Sequence, residues 1–325
     1  MNHFTQDDRE NGPKVTAIGG GTGLSTLLSG LKHETTNLAA IVNVTDDGGS
    51  SGSLRTSLAI PPMGDARSCL SALSASESII RELFQYRFKK HSDLNGHSLG
   101  NLILAALYEI TGDFQKSLDE AATLLNAHGK VIPVSNRNNL VLMGKTIFGT
   151  ILTGESAFTS NSEPIAEVWL DPEMAEANES AVRSIKESDL IIIGPGSLYT
   201  SIIPNFLVSG ISEAIVASPA PKIFICNVAT QPNETTGYDA NQHLNTFLKH
   251  SKISVDHFLV NNNVKRLPDA SGQVAIEPPL VRNDIVWPAS VIEADIVDKS
   301  LPTRHDPEKL SKAIMSIQRH KTKRA

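Results

Sequence analysis

The feature that most constrains this chain is a run of glycines placed directly after a short apolar segment. Lys14 to Ile18 reads as a strand, and Gly19-Gly20-Gly21-Thr22-Gly23 follows at once. Leu24 to Leu31 then has helical character. A strand, a glycine turn and a helix in that order form the opening of a nucleotide-type α/β unit, in which glycines let the backbone approach a phosphate and the helix offers unpaired N–H groups. The run is not the dinucleotide fingerprint, because Leu24 stands where the last glycine or alanine belongs, and no Gly-Lys-Ser/Thr follows to make a P-loop. The alternative is a tight strand–helix turn that binds nothing.

The same rhythm recurs. Leu38 to Val44, Lys130 to Val134, Asp189 to Ile193, Lys222 to Val228 and His257 to Asn261 read as buried strands, most of them followed by helical segments. Continuous apolar strands alternating with helices predict an α/β fold, a Rossmann-like, doubly wound and mostly parallel sheet covered on both faces. Residues 75–175 break the rhythm with helices and a β-hairpin over Asn139 to Leu152, and are expected to form a helical and hairpin insertion. The expected organisation is a disordered tail over 1–13, one α/β domain over 14–318, and a basic, solvated tail over 319–325. Thr45 to Gly64 reads as one long polar connector.

Composition narrows the function. With aromatics at 5% of 325 residues, a base-stacking platform is excluded, and a net charge of −6 is unsuited to a phosphate backbone, so no nucleic-acid partner is expected. The longest strongly apolar run, Leu190 to Ile193, is far below a membrane span, so no membrane insertion is expected. The polar N-terminus has no secretory core, and two cysteines suit a reducing compartment, so the expected location is the cytoplasm.

Ligands of doubly wound sheets bind outside the carboxyl ends of the strands. The loops Gly19 to Gly23, Asp46 to Ser51, Gly194 to Ser201 and Asn227 to Gly237 are therefore expected to converge on one crevice. The candidate binding residues are Gly20, Gly21, Thr22, Gly23, Leu24, Asp46, Asp47, Gly48, Gly49, Ser50, Gly194, Pro195, Gly196, Ser197 and Asn227. Asp46 or Asp47, about where a ribose-binding acid is expected, can accept a ribose hydroxyl; with Asp65, adjacent carboxylates can instead hold a divalent cation. Arg67, in Gly64-Asp65-Ala66-Arg67, is either a phosphate clamp or a surface ion pair. His97 and Asn101, at the start of a helix, are either ligand donors or part of a capping turn. Zinc-protease and hydrolase-elbow signatures are absent.

Taken together, Ala17 to Leu24, Asp46 to Gly52, Pro62-Met63-Gly64-Asp65-Ala66-Arg67, Gly96-His97-Ser98-Leu99-Gly100-Asn101-Leu102, Asp189 to Ser201 and Arg304-His305-Asp306 resemble the CofD/YvcK family, more closely its YvcK-like gluconeogenesis-factor branch. The resemblance implies a Rossmann-like fold and a nucleotide ligand. For the YvcK branch it implies binding of UDP-sugars, notably UDP-N-acetylglucosamine, and a link to cell-wall synthesis, cell shape and growth on gluconeogenic carbon. No catalytic residue and no required cofactor follow from it. For the CofD branch it implies phospholactyl transfer from a nucleoside-diphosphate carrier with a divalent metal. By the same resemblance the glycine loop and Gly194 to Ser197 hold phosphate, Asp47 and Asp65 hold a metal such as Mg²⁺, and Arg304 contacts the UDP-sugar. Met63 lengthens the usual Pro-Pro-Gly-Asp, and the transferase-type Ser-Pro-Asp-Leu-Asp stretch is absent, which favours the regulatory branch. A homo-oligomer and a protein partner in cell-wall or carbon regulation are the expected assembly. A nicotinamide oxidoreductase is the weakest reading, because the glycine fingerprint is incomplete.

Overall fold

The structure is a computed structural model, and it describes residues 9–75, 79–89, 93–264, 272–279 and 287–322. Its centre is a seven-stranded sheet of β1 (Val15–Gly19), β2 (Leu38–Val42), β3 (Lys130–Pro133), β7 (Leu190–Ile193), β8 (Lys222–Ile225), β9 (His257–Asn261) and β10 (Ser290–Ala294). The spatial order is β10-β9-β8-β7-β1-β2-β3, and each pairing is parallel. β1 and β7 are buried along their whole lengths, as strands covered on both faces must be. The order of winding reverses between them, because β2 and β3 build out one way from β1 and β7 to β10 the other. The crevice of a doubly wound sheet opens at such a reversal.

Helix α1 (Gly21–Leu31) leaves β1 directly and buries Leu24, Leu27, Leu28 and Leu31, a stripe at three- and four-residue spacing. Leu24 is therefore core and not a wall of any crevice. On the far side of the sheet, α11 (Ala240–Ser251) starts at an Asp239–Gln242 capping box and places Phe247 on Phe224 of β8, with ring centroids 4.4 Å apart. Phe224 stacks in turn on Phe258 of β9 at 5.7 Å.

Three expectations are corrected here. The polar connector 45–64 contains a helix, α2 (Gly49–Leu58), despite its glycines and serines. Propensity gives way to packing: Ser50, Ser51, Gly52 and Leu54 are buried, and a side chain at Gly52 would overlap the Asp47 carbonyl. The stretch 75–175 is not one insertion. Its helices α4 (Ile79–Gln85), α5 (Leu99–Thr111) and α6 (Phe114–Leu124) follow α3 (Gly64–Leu73), and the chain then returns to the main sheet as β3. Only after that does the hairpin appear, within a three-stranded antiparallel sheet of β4 (Val141–Thr146), β5 (Ile151–Thr153) and β6 (Ile165–Asp171), with α7 (Glu155–Ser160) between β5 and β6. Finally, residues 9–13 are not loose. Asn37 Nδ2 donates to the Glu10 and Gly12 carbonyls, and Thr36 N–H donates to that of Arg9. The rest of that tail, 1–8, lies outside the described residues.

The remaining helices are α8 (Glu179–Lys186), a π-turn (Leu198–Ile202), α9 (Ile203–Phe206), α10 (Ile211–Ala217) and α12 (Pro307–Thr322). Helix α12 runs beyond residue 318, and Arg319 pairs with Glu34 at 3.6 Å, so the expected solvated tail begins later; 323–325 lie outside the described residues. No helix among the described residues is long and apolar enough to cross a membrane.

Helix α12 docks on α1 at Gly30, where a Cβ would overlap the Pro307 carbonyl and come within 3.1 Å of Ser311 Cβ. Gly30→Ala should therefore cost about 1–3 kcal/mol through overpacking. A melting temperature equal to that of the wild type would show that the two helices are not in close contact.

Candidate functional site

Three strands end at the crevice and are laced together there. Asn43 N–H donates to the Gly19 carbonyl at 3.0 Å, and Gly194 N–H to that of Ile18 at 2.9 Å. The buried Asn205 side chain donates to the Gly19 and Ser201 carbonyls, and that of Asn43 donates to the Thr200 carbonyl. These bonds fix the glycine loop against the loop after β7.

The glycines do different work. A Cβ at Gly23 would overlap the Pro195 carbonyl, and one at Gly20 would overlap the Asp65 carboxylate, so these two permit close packing. Gly21 is different. Its φ of +63° is a left-handed conformation, and its Cβ position meets only Ser201 Oγ at 3.3 Å. It lines both lobes of the crevice at the N-terminus of an eleven-residue helix, where unpaired N–H groups attract an anion.

Two cavities meet at this point and share Gly21 and Thr22. The larger, about 320 Å³, has the glycine loop on one side and Pro195, Gly196, Ser197, Asn227 and Arg304 on the others. Asn227 clamps the loop after β7: it accepts from Gly196 N–H at 3.2 Å and donates to the Gly196 carbonyl at 2.7 Å. The smaller, about 220 Å³, is lined by Asp46, Gly48, Gly49, Ser50, Asp65, Arg67 and Asn101. Sequence residues scattered from 20 to 304 thus converge on one two-lobed crevice.

Not every candidate faces it. The Asp47 carboxylate turns away: Ser156 N–H and Oγ donate to its Oδ1 at 2.9 and 2.7 Å. It holds α7 in place, so the expected Asp47–Asp65 metal pair does not form. The carboxylate that stands with Asp65 is that of Asp46, held by Gly48 N–H at 2.9 Å. Among the described residues, no group of three or more His, Cys, Asp or Glu is arranged to hold a metal ion. His97 is likewise a support. Its Nδ1 lies 3.1 Å from Ser50 Oγ, which also accepts from Asn101 Nδ2 at 3.1 Å, joining the starts of α2 and α5. Asn101 Oδ1 and Arg67 Nε are buried with no protein partner and sit on groups that line the smaller lobe.

Residues that sequence reasoning missed complete the site. Glu234, buried after β8, accepts from Ser197 Oγ, and burial raises its pKa. Glu155 reaches the larger lobe from the antiparallel insertion. His305 is buried beside Arg304; its Nε2 lies 3.1 Å from the Cys226 carbonyl and burial lowers its pKa to about 4, so the ring is neutral and donates. That bond ties the segment before α12 to the end of β8 and so places Arg304 at the crevice. The adjacent Arg304-His305-Asp306 motif was the available signal. Glu234 lies in the loop Asn227 to Gly237, which was expected at the crevice, but nothing there singled out its carboxylate; Glu155 had no signal, because no crevice loop contains it.

The charge balance is unusual for a place that suits an anion. Burial and the neighbouring Asp46 carboxylate raise the Asp65 pKa from 3.8 to about 7, although Gly21 N–H donates to it. Burial raises Asp46 as well.

Comparison with known proteins agrees with this fold. The family model described as 2-phospho-L-lactate transferase CofD matches residues 15–321. The chain is 49% identical to the gluconeogenesis factor of Bacillus subtilis over 258 residues, 79% of this chain and 80% of that one. It is 42% identical to the gluconeogenesis factor of Halalkalibacterium halodurans over 309 residues, 93% of this chain and 95% of that one. A crystal structure of a Bacillus halodurans protein described as a member of the upf0052 family superposes with a TM-score of 0.85 at 42% identity, covering 94% of this chain and 99% of that one.

The Asp65 carboxyl yields a pH test. An unfolded chain releases this proton near 3.8 and the folded chain only near 7, so folding is progressively penalised as pH rises between those values. Asp65→Asn should melt above the wild type by a margin that grows from pH 4 to 7 and then levels. A margin that is flat across that range would mean the carboxyl is not strained by its surroundings.

Proposed function

The chain belongs to the CofD family, and on that premise we propose that it is a UDP-sugar-binding regulatory protein of the gluconeogenesis-factor type. Its ligand is UDP-N-acetylglucosamine, and its role couples cell-wall synthesis, cell shape and growth on gluconeogenic carbon. The observation that carries this reading is Arg304. Arg304 lines the larger lobe together with the glycine loop at the N-terminus of α1, and its guanidinium has no hydrogen bond or ion pair to protein among the described residues. A free guanidinium facing a glycine turn and a helix N-terminus is a fitting cradle for a diphosphate, and it can also stack on a pyrimidine. The relatives' names support the carbon-metabolism half, and the resemblance of the motifs supports the nucleotide-sugar half.

On this reading the diphosphate lies over Gly21 and Thr22, between Arg304 on one side and Arg67 on the other. No cofactor is required. Asp46, Asp65 and the unpartnered Asn101 Oδ1 are hard oxygen donors that suit Mg²⁺ arriving with the nucleotide, its remaining ligands coming from phosphate and water. The protein acts in the cytoplasm as a homo-oligomer with a protein partner, and binds neither nucleic acid nor membrane.

The second reading is a phospholactyl-type transferase using a nucleoside-diphosphate donor and a metal. What favours it is the smaller lobe, which joins the larger at the glycine loop and has room for an acceptor. Turnover separates the two: a binder leaves UDP-N-acetylglucosamine intact, whereas a transferase consumes a donor when an acceptor is present.

Calorimetric titration of the wild type with UDP-N-acetylglucosamine should show binding. Arg304→Ala should weaken it by about 1.5–3 kcal/mol, the worth of a hydrogen bond to a charged group. Arg304→Lys should fall between, since lysine keeps charge but loses the fork. Neither should lower the ligand-free melting temperature by more than about 4 °C, roughly 1 kcal/mol for a large domain, because the side chain holds nothing in the fold. Equal affinities in all three proteins would place Arg304 outside the site.

A further inference from the structure

Helix α7 is a piece of the antiparallel insertion, yet it is moored to the main domain on two sides. Ser156 donates twice to Asp47 in the loop after β2, and a side chain at Gly154 would overlap that same carboxylate. On the other side Asn233 Nδ2, in the loop after β8, donates to the Thr159 carbonyl at 2.7 Å. The two moorings hold Glu155 and Thr159 against the larger lobe, on its wall with Thr26 and the glycine loop. The Glu155 carboxyl has no protein hydrogen-bond partner among the described residues, although the residue is half-buried. Its placement is not explained by the fold.

We propose that Glu155 reads the hydroxyl groups of the sugar that lies beyond the diphosphate, with Thr159, whose hydroxyl donates to the Ser156 carbonyl at 3.0 Å and is left able to accept, on the same wall, so that the antiparallel insertion is the specificity element of the crevice. This rests on the UDP-sugar reading of the same site. Burial, and the Asp46, Asp65, Glu234 and Asp47 carboxylates around it, push the Glu155 pKa to about 9, so the group is a neutral acid at pH 7. A neutral acid donates one O–H and accepts at its carbonyl oxygen, which matches a sugar hydroxyl in both directions. It also avoids the repulsion that an ionised carboxylate would exert on an adjoining diphosphate. Arg304 and the α1 N-terminus meet the charged part of the ligand; Glu155 and Thr159 meet a part that is polar and uncharged.

The test is calorimetric titration of the full chain with UDP and with UDP-N-acetylglucosamine, for the wild type, Glu155→Ala and Glu155→Gln. Melting curves taken alongside confirm that each variant is folded. The wild type should prefer the sugar nucleotide by about tenfold or more, the worth of one to two hydrogen bonds. Glu155→Ala should lose that preference while its UDP affinity stays within about threefold. Glu155→Gln, neutral and able both to donate and to accept, should keep most of it. A wild type that binds both ligands equally, a Glu155→Ala protein that keeps the preference, or one that loses UDP affinity to the same degree overturns the inference and leaves the nucleotide reading standing. A wild type that binds neither ligand overturns both.

Discussion

Backbone meets backbone where β1 and β7 end, and the ligand end of the molecule depends on that approach. The Pro195 carbonyl occupies the space that a side chain at Gly23 would need, and the Asp65 carboxylate occupies the space beside Gly20. Two elements separated by about 170 residues are thereby brought edge to edge, and α1 must start where it does. The lacing by Asn43 and Asn205 then costs little further chain entropy, because Asn205 bonds to the Gly19 carbonyl of β1 and Asn43 to the Thr200 carbonyl of the π-turn, both already held in regular structure. The left-handed Gly21 follows from the same geometry. It is the residue at which the chain turns from the extended Gly20 into the helix.

A second consequence is electrostatic. The close approach pulls Asp65 beneath the helix N-terminus, where Gly21 N–H donates to it, and the loop after β2 brings Asp46 alongside. One attractive N–H and a helix dipole do not offset burial plus a neighbouring carboxylate, so the Asp65 pKa rises rather than falls. Burial raises Glu155 and Glu234 in the same crevice, and the carboxylates around Glu155 raise it further. Arg55 is too occupied to answer it: its guanidinium donates to the Thr45, Asp46 and Leu140 carbonyls. A crevice in this condition gains when something positive or hydrogen-bond-rich enters with the anion. That is the physical ground for pairing a nucleotide with Mg²⁺ here, and for expecting protonated acids to act as donors.

The parallel sheet and its crevice were legible in the sequence because both leave local marks. Buried parallel strands are runs such as Leu190 to Ile193, and crevice loops carry glycines that no core position would choose. Gly21, Ser197 and Asn227 could be placed from those marks alone. Helix α2 could not, because its Gly-Ser-Ser-Gly-Ser start argues against a helix and only burial supports it. The return of the chain at β3 was hidden for another reason: a four-residue strand among helices gives no sign of which sheet it joins. Asp47 shows the limit for site residues. Its neighbour Asp46 is identical in type and lies in the same loop, and only the position of Ser156, more than a hundred residues on, decides which carboxylate faces the ligand. Spacing can name a pair of carboxylates but not their directions.

The C-terminal segment makes stability and the site one problem. The Arg304 side chain has no anchor of its own; its backbone is held by Asp298 N–H, which donates to its carbonyl at 2.9 Å, and by its own N–H donating to the Leu301 carbonyl at 2.8 Å, and its neighbours do the rest. His305 fixes it on one side through the Cys226 carbonyl, and α12 fixes it on the other by docking at Gly30 of α1, the helix whose first turn lines the crevice. Asp306 joins the two, accepting from Glu308 and Lys309 N–H at 3.0 Å as the cap of α12. A short antiparallel bridge between Val297 and His305 keeps the strap flat against β10's exit. Arg304 is thus held at the crevice by a histidine, a cap and a helix–helix contact. An arginine positioned this way need not be ordered by its own hydrogen bonds in the free protein, and its charge-assisted bonds remain available for the ligand to complete.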